Sequence, residues 1–143
     1  MSPVLLDSDT LSELSRGHAK VTERARAYLR SNGRLTFSAV TLYERLRGYR
    51  AAMRQGKPFE PHLRQFELFA ESCIVLPVDD AVADRAATIW ASLSARARGA
   101  YGDILIAATA AAHGLPLVTR NRRDFAPISA IEGIDLPLLD WTK

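Results

Sequence analysis

Four carboxylates in this sequence are spaced as though they could act together: Asp7, Glu44, Asp103 and Asp124. Asp7 follows the short apolar run Val4-Leu5-Leu6, and Asp124 lies just past Leu115–Val118, which reads as a short buried strand. Asp103 stands at the mouth of Ile104–Ala112, a stretch apolar on every side, as a buried helix is. If the strands are parallel, Asp7 and Asp124 emerge on one edge of the sheet and Asp103 points there from its helix. Ligands in open α/β sheets collect at such strand ends. Carboxylates sharing a cleft repel one another unless a divalent cation neutralises them. An all-oxygen donor set suits Mg²⁺ or Mn²⁺, ions that polarise phosphates and lower the pKa of bound water.

Taken singly, each acid also has an ordinary structural explanation. Asp7 and Asp103 could be helix N-caps. Asp124 could be a surface turn residue, and Glu44 a solvated residue paired with Arg47. The wheel around Glu44 is informative: Leu42, Leu46, Tyr49 and Met53 form one apolar stripe, Glu44 lies opposite it, and Arg47, Arg50 and Arg54 line a flank. The stripe reads as core sooner than as a partner groove. Other chemistries lack their residues. The three histidines, His18, His62 and His113, are scattered, and the single Cys73 cannot build a zinc site. No phosphate-binding glycine loop or G-x-S-x-G is present. Asp7-Ser8-Asp9-Thr10 departs from the D-x-D-x-T pattern of haloacid-dehalogenase phosphatases, because the threonine comes one position early.

The elements that must position these acids alternate. Val4–Leu6 is a strand, and Asp7-Ser8-Asp9-Thr10 caps a helix through Leu11 and Leu14 to about Gly17. Thr22 to Arg30 is a second helix. Leu35–Phe37 is a second strand, followed by a long helix from Ser38 through Arg54 that carries Glu44. Pro61 opens another helix, with Leu63, Phe66 and Phe69 at helical spacing. Cys73–Val78 is a third strand, and Asp79-Asp80 caps a helix through about Ala95. Arg96 to Ala100 is a loop before the buried helix, which stops at His113-Gly114. Asp124-Phe125 sits on a polar turn, and Leu136–Leu139 is an edge strand limited by Pro137. Strands alternating with helices predict a parallel sheet in a single α/β domain spanning 1–143.

Composition is that of an ordinary globular chain, 48% hydrophobic and 24% charged over 143 residues. A lone cysteine excludes an internal disulfide and fits a cytosolic, cytoplasmic protein, and no apolar run is long enough to cross a bilayer. The basic residues are sixteen Arg and three Lys. Arg favours bidentate contact with carboxylate or phosphate, and a net charge of +3 gives weak support to a polyanionic partner.

With the four acids in view, nearly the whole chain resembles the PIN-domain ribonucleases, most closely the VapC-type toxins of prokaryotic toxin–antitoxin pairs. The carrying segments are Val4–Leu14 around Asp7, Ser38–Gly48 around Glu44, Asp103–Ala110, and Thr119-Arg120-Asn121-Arg122-Arg123-Asp124-Phe125. Ser8 stands where the family often has Thr, and Gly102 precedes Asp103 where other residues are frequent. The resemblance implies a three-layer α/β/α fold with a central parallel sheet and metal-dependent endonucleolytic cleavage of RNA. By it, Asp7, Glu44, Asp103 and Asp124 hold Mg²⁺ or Mn²⁺, and Thr119 and Asn121 orient the pocket. Arg47, Arg120, Arg122 and Arg123 are the candidates for holding RNA phosphates. The implied partners are RNA and a cognate antitoxin, in a homodimer or a toxin–antitoxin hetero-oligomer, with no membrane. The alternative is a non-catalytic PIN-like module that binds RNA or protein.

Overall fold

Leu5 and Leu6 are neighbours in sequence and both fully buried, yet they belong to different cores. Successive strand side chains point to opposite faces, so one dipeptide serves both sides of a sheet. Leu117 and Val118 divide in the same way. These residues form β1 (Leu5–Leu6) and β4 (Leu117–Val118) in a computed structural model that describes all 143 residues. With β2 (Thr36–Ser38), β3 (Ile74–Leu76) and β5 (Leu138–Leu139) they make a five-stranded sheet, every pairing parallel, in the order β3-β2-β1-β4-β5.

Seven helices cover the two faces. One face carries α1 (Ser8–Ser15), α2 (Ala19–Asn32), α3 (Ala39–Arg54) and α4 (Glu60–Glu71), packed over Leu6, Phe37 and Val118. The other carries α5 (Asp80–Ser92), α6 (Tyr101–Ala112) and α7 (Arg122–Ser129), packed over Leu5 and Leu117. This is the expected three-layer α/β/α arrangement. α6 is buried along almost all its length, its alanines letting it lie close against α5 and the sheet. The chain leaves β1 toward β2 on one side and returns beside β1 on the other through β4. The crevice between the C-terminal ends of β1 and β4 is therefore the topological switch point, where α/β sheets bind ligands.

The structure differs from the sequence expectation chiefly at ends. Leu115 belongs to the termination of α6, its amide donating to Ala110 O, so the strand shrinks to Leu117–Val118. Cys73–Val78 keeps only Ile74–Leu76 as strand. Residues 97–99 of the expected loop form a short 3-10 turn. The larger correction concerns Asp124, which lies in the first turn of a helix and not on a polar turn. Arg122-Arg123-Asp124 has no helical signature of its own, and burial of Phe125 and Ile128 against the α6 core makes that turn helical.

One contact fixes the entry to β1. Tyr28 is 1% exposed, its ring lies 5.8 Å from that of Trp141, and its hydroxyl accepts the Val4 amide at 3.2 Å. Tyr28→Phe leaves that amide buried without its acceptor, and should cost about 1–3 kcal/mol. Urea unfolding of both proteins measures it, and a loss below about 0.5 kcal/mol would mean that the amide has another partner.

A candidate acidic active site

Asp7 is placed by two demands at once. It ends β1, its amide donating to Val118 O at 3.1 Å, and it caps α1, its Oδ1 accepting the Thr10 amide at 2.8 Å. The Thr10 hydroxyl ties the same turn to Val118 O at 3.0 Å. The carboxylate is thus pinned at the switch point and buried. Burial raises its pKa, and hydrogen bonds from Thr119 and Thr10 oppose that rise.

Glu44 reaches the same place from α3. Its Oε1 accepts the Ser8 hydroxyl at 2.8 Å, and Ser8 also meets Thr41 Oγ1 at 3.1 Å. Glu44 is not paired with Arg47, whose guanidinium lies 5.1 Å from the Tyr43 ring centre. Asp103 is not a helix cap: α6 begins at Tyr101 after Ala100, and the carboxylate stands inside the first turn. Asp124 accepts the Asn121 side-chain amide at 2.6 Å, and the Asn121 backbone amide donates to the buried Thr119 hydroxyl at 2.9 Å.

Asp7, Ser8, Asp9, Glu44, Asp103 and Asn121 line one cavity of about 210 Å³, closed by Ile106 and Phe125. No basic side chain is among its lining residues. The electrostatic consequence falls on Asp103, whose pKa is pushed up to about 6, first by burial and then by Asp124, Glu44, Asp7 and Asp9. The four predicted acids therefore share one field. Sequence reasoning missed the fifth, Asp9, which it treated as capping. The spacing of Asp9 and Glu13, four residues apart on one face of α1, was the available signal.

Glu13 itself was also missed. It is buried beside Arg16 and Arg120, and its pKa is lowered, by the Arg16 hydrogen bond first. Arg120 lies 3.1 Å from Glu13 and is thus committed to an acid. Arg122 donates to Leu138 O at 3.0 Å, and Arg123 is exposed. Of the four predicted phosphate binders, Arg47 and Arg123 carry no such internal bond. Leu42, Leu46 and Tyr49 pack against the Phe37 core, as the apolar stripe predicted.

Gly102 has a steric role. A Cβ there would stand 2.8 Å from Glu44 Oε2, so the backbone of α6 forms one wall of the Glu44 carboxylate. The donor set is wholly hard oxygen and negative in excess, which fits Mg²⁺ or Mn²⁺. The acids are not drawn into a compact cluster of three metal-ligating side chains.

Comparison with known proteins agrees with this fold. The sequence matches the PIN domain over residues 4–130. The chain belongs to the PIN domain family. Among solved structures this PIN domain is similar to a chain of VapBC-1 from nontypeable Haemophilus influenzae, with a TM-score of 0.80 at 25% identity over 99% of this chain and 100% of that one. A chain of DNA-bound VapBC from Salmonella typhimurium gives 0.77 at 27% identity over 99% of each. One of FitAcB from Neisseria gonorrhoeae gives 0.62 at 27% identity over 96% and 97%. No curated protein sequence matches the chain.

Two outcomes follow from the site's electrostatics and packing. Asp103 has a folded pKa near 6 against an ordinary 3.8, so the folded state holds its proton more tightly. In chelator, its contribution is neutral below the ordinary value, becomes unfavourable as pH rises toward 6, and stays at that plateau above. Asp103→Asn should remove that slope and melt higher than wild type at pH 7; identical melting curves from pH 4 to 7 would overturn this. Gly102→Ala should displace the flexible Glu44 carboxylate while adding a better helix former, leaving stability within about 1 kcal/mol of wild type. The rise in melting temperature on adding Mg²⁺ should shrink in the same variant, and a full Mg²⁺ response would show that Glu44 tolerates the methyl group.

Proposed function

We propose that this PIN domain is a metal-dependent endoribonuclease and the toxin half of a toxin–antitoxin pair. The observation that carries the reading is the cavity at the β1/β4 switch point, lined by four carboxylates and no cation, with Asp124 adding to its field. Asp7, Glu44, Asp103 and Asp124, with Asp9 beside them, would hold Mg²⁺ or Mn²⁺. When bound, such an ion polarises a phosphate and lowers the pKa of a water.

The chain's own residues supply the rest. The strand end and helix cap hold Asp7 fixed, so its carboxylate needs little reorganisation when charge develops nearby. Ser8 keeps the Glu44 carboxylate turned toward the cavity, and Asn121 does the same for Asp124. The acidic neighbours that push the Asp103 pKa up to about 6 are charges a divalent ion would neutralise, so Asp103 would be an ionised ligand once the ion is bound. Thr119 supports Asp7 and Asn121 together.

The antitoxin reading is supported by likeness to chains from VapBC and FitAcB assemblies. A groove between α1, α3 and α4 suits such a protein partner. Leu14, Tyr49, Phe66 and Phe69 surround Arg45, which donates to Ser12 and Ser15 but meets no carboxylate, and whose Nε has no acceptor. An acidic residue of an antitoxin would complete it.

The test is cleavage of RNA by the purified protein. Activity should require Mg²⁺ or Mn²⁺ and stop in chelator. Asp7→Asn and Asp103→Asn should each lose roughly 100-fold or more with unchanged circular dichroism. The wild type alone should arrest growth of a bacterial host, and co-expression of the protein encoded beside it should restore growth. Full activity in a folded acid variant removes that acid from the mechanism. RNA binding without cleavage would instead make the chain a non-catalytic module.

A further inference from the structure

Beside the acidic cavity lies a second, larger one of about 690 Å³, within the range of small-molecule sites. Glu44 and Asp103 line both cavities, so the two adjoin at these acids. The lining of the larger is partly apolar, with Val40, Val78 and Leu105, and Tyr43 and Tyr101 also line it. Both tyrosines are displayed: Tyr43 is 59% exposed and Tyr101 66%. Burial therefore does not account for either ring. Arg47 also lines the cleft, over the Tyr43 ring, and makes no ion pair.

The cleft thus has an ordered polarity. The side it shares with the acidic cavity carries Glu44 and Asp103, two tyrosines line it, and Arg47 adds a cation. An anion is repelled from the two acids, while a flat neutral ring meets two exposed aromatic side chains beside apolar neighbours. A nucleotide has these parts in this arrangement: a neutral base for the aromatic walls and a backbone phosphate for the guanidinium. We propose that the cleft is a base-binding subsite for single-stranded RNA, in which the base next to the phosphate to be cleaved stacks on Tyr43 and Tyr101 while Arg47 holds the following backbone phosphate. The proposal rests on the ribonuclease reading for the position of the scissile phosphate. Its binding component stands separately. Stacking on aromatic rings is tolerant of base identity, so the subsite selects unpaired strands and gives only a modest sequence preference.

The experiment uses the full chain carrying Asp7→Asn, which lies outside this cleft and keeps its helix cap. Two fluorescein-labelled octamers in Mg²⁺ are compared by anisotropy: oligoadenylate, and an abasic ribose-phosphate strand of equal length. Tyr43→Ala and Tyr101→Ala should each weaken adenylate binding about 5- to 150-fold and leave the abasic strand unaffected. Tyr101→Trp should restore adenylate binding. Arg47→Ala should weaken both strands and flatten the salt dependence. In the cleaving protein, both tyrosine variants should raise KM by more than they lower kcat.

Equal weakening of both strands, or of neither, overturns the subsite. So does a tyrosine variant that turns a dimer into a monomer in sedimentation while binding adenylate normally, because the cleft would then belong to a second copy. If the wild type cleaves RNA and the tyrosines prove silent, the ribonuclease reading stands and the subsite falls. If no RNA is cleaved but binding depends on bases and tyrosines as described, the subsite stands and the ribonuclease reading falls.

Discussion

Negative charge gathered at one crevice is the constraint around which this fold is arranged. Like charges in a partly buried space would drive their own elements apart, so each acid needs an independent anchor. Asp7 is anchored by the β1–β4 ladder and its cap, Glu44 by Ser8, Asp124 by Asn121. The donors are hydroxyls and amides, which restrain position without neutralising charge. Asp103 has only its place on α6, and it is the acid whose proton is held near pH 6.

The same constraint explains how the basic residues are disposed. Sixteen arginines are available, yet none lines the acidic cavity. Arg120, sited two residues past β4, is drawn instead to Glu13 of α1, which does not line the cavity. The Glu13 contact holds the Arg120 guanidinium at an acid outside the cavity lining. The pairing of a buried acid with the nearest cation keeps the pocket negative.

Much of this arrangement was legible in the sequence because it depends on local pattern. Leu5-Leu6, Phe37 and Leu117-Val118 are short apolar runs followed by polar residues, and α6 is apolar all round; those signals place Asp7 and Asp103 without further information. The parallel sheet followed from alternation alone. What could not be read is what depends on distant partners. The helical state of Asp124 comes from Phe125 and Ile128 meeting α6. The diversion of Arg120 needs Glu13, more than a hundred residues earlier. Gly102 looked like a departure of uncertain meaning, and its reason appears only when Glu44 is seen against its Cα.

The order of strands has a bearing on synthesis. β1, β2 and β3 are adjacent in both chain and space, so a growing polypeptide can assemble that half, with Asp7, Asp9 and Glu44, while β4 and β5 are still unmade. Asp103, Thr119 and Asp124 come from the last third of the chain, and β4 must insert beside β1 before the crevice has its second wall. The site is therefore complete only once the last third of the chain has been made and has docked.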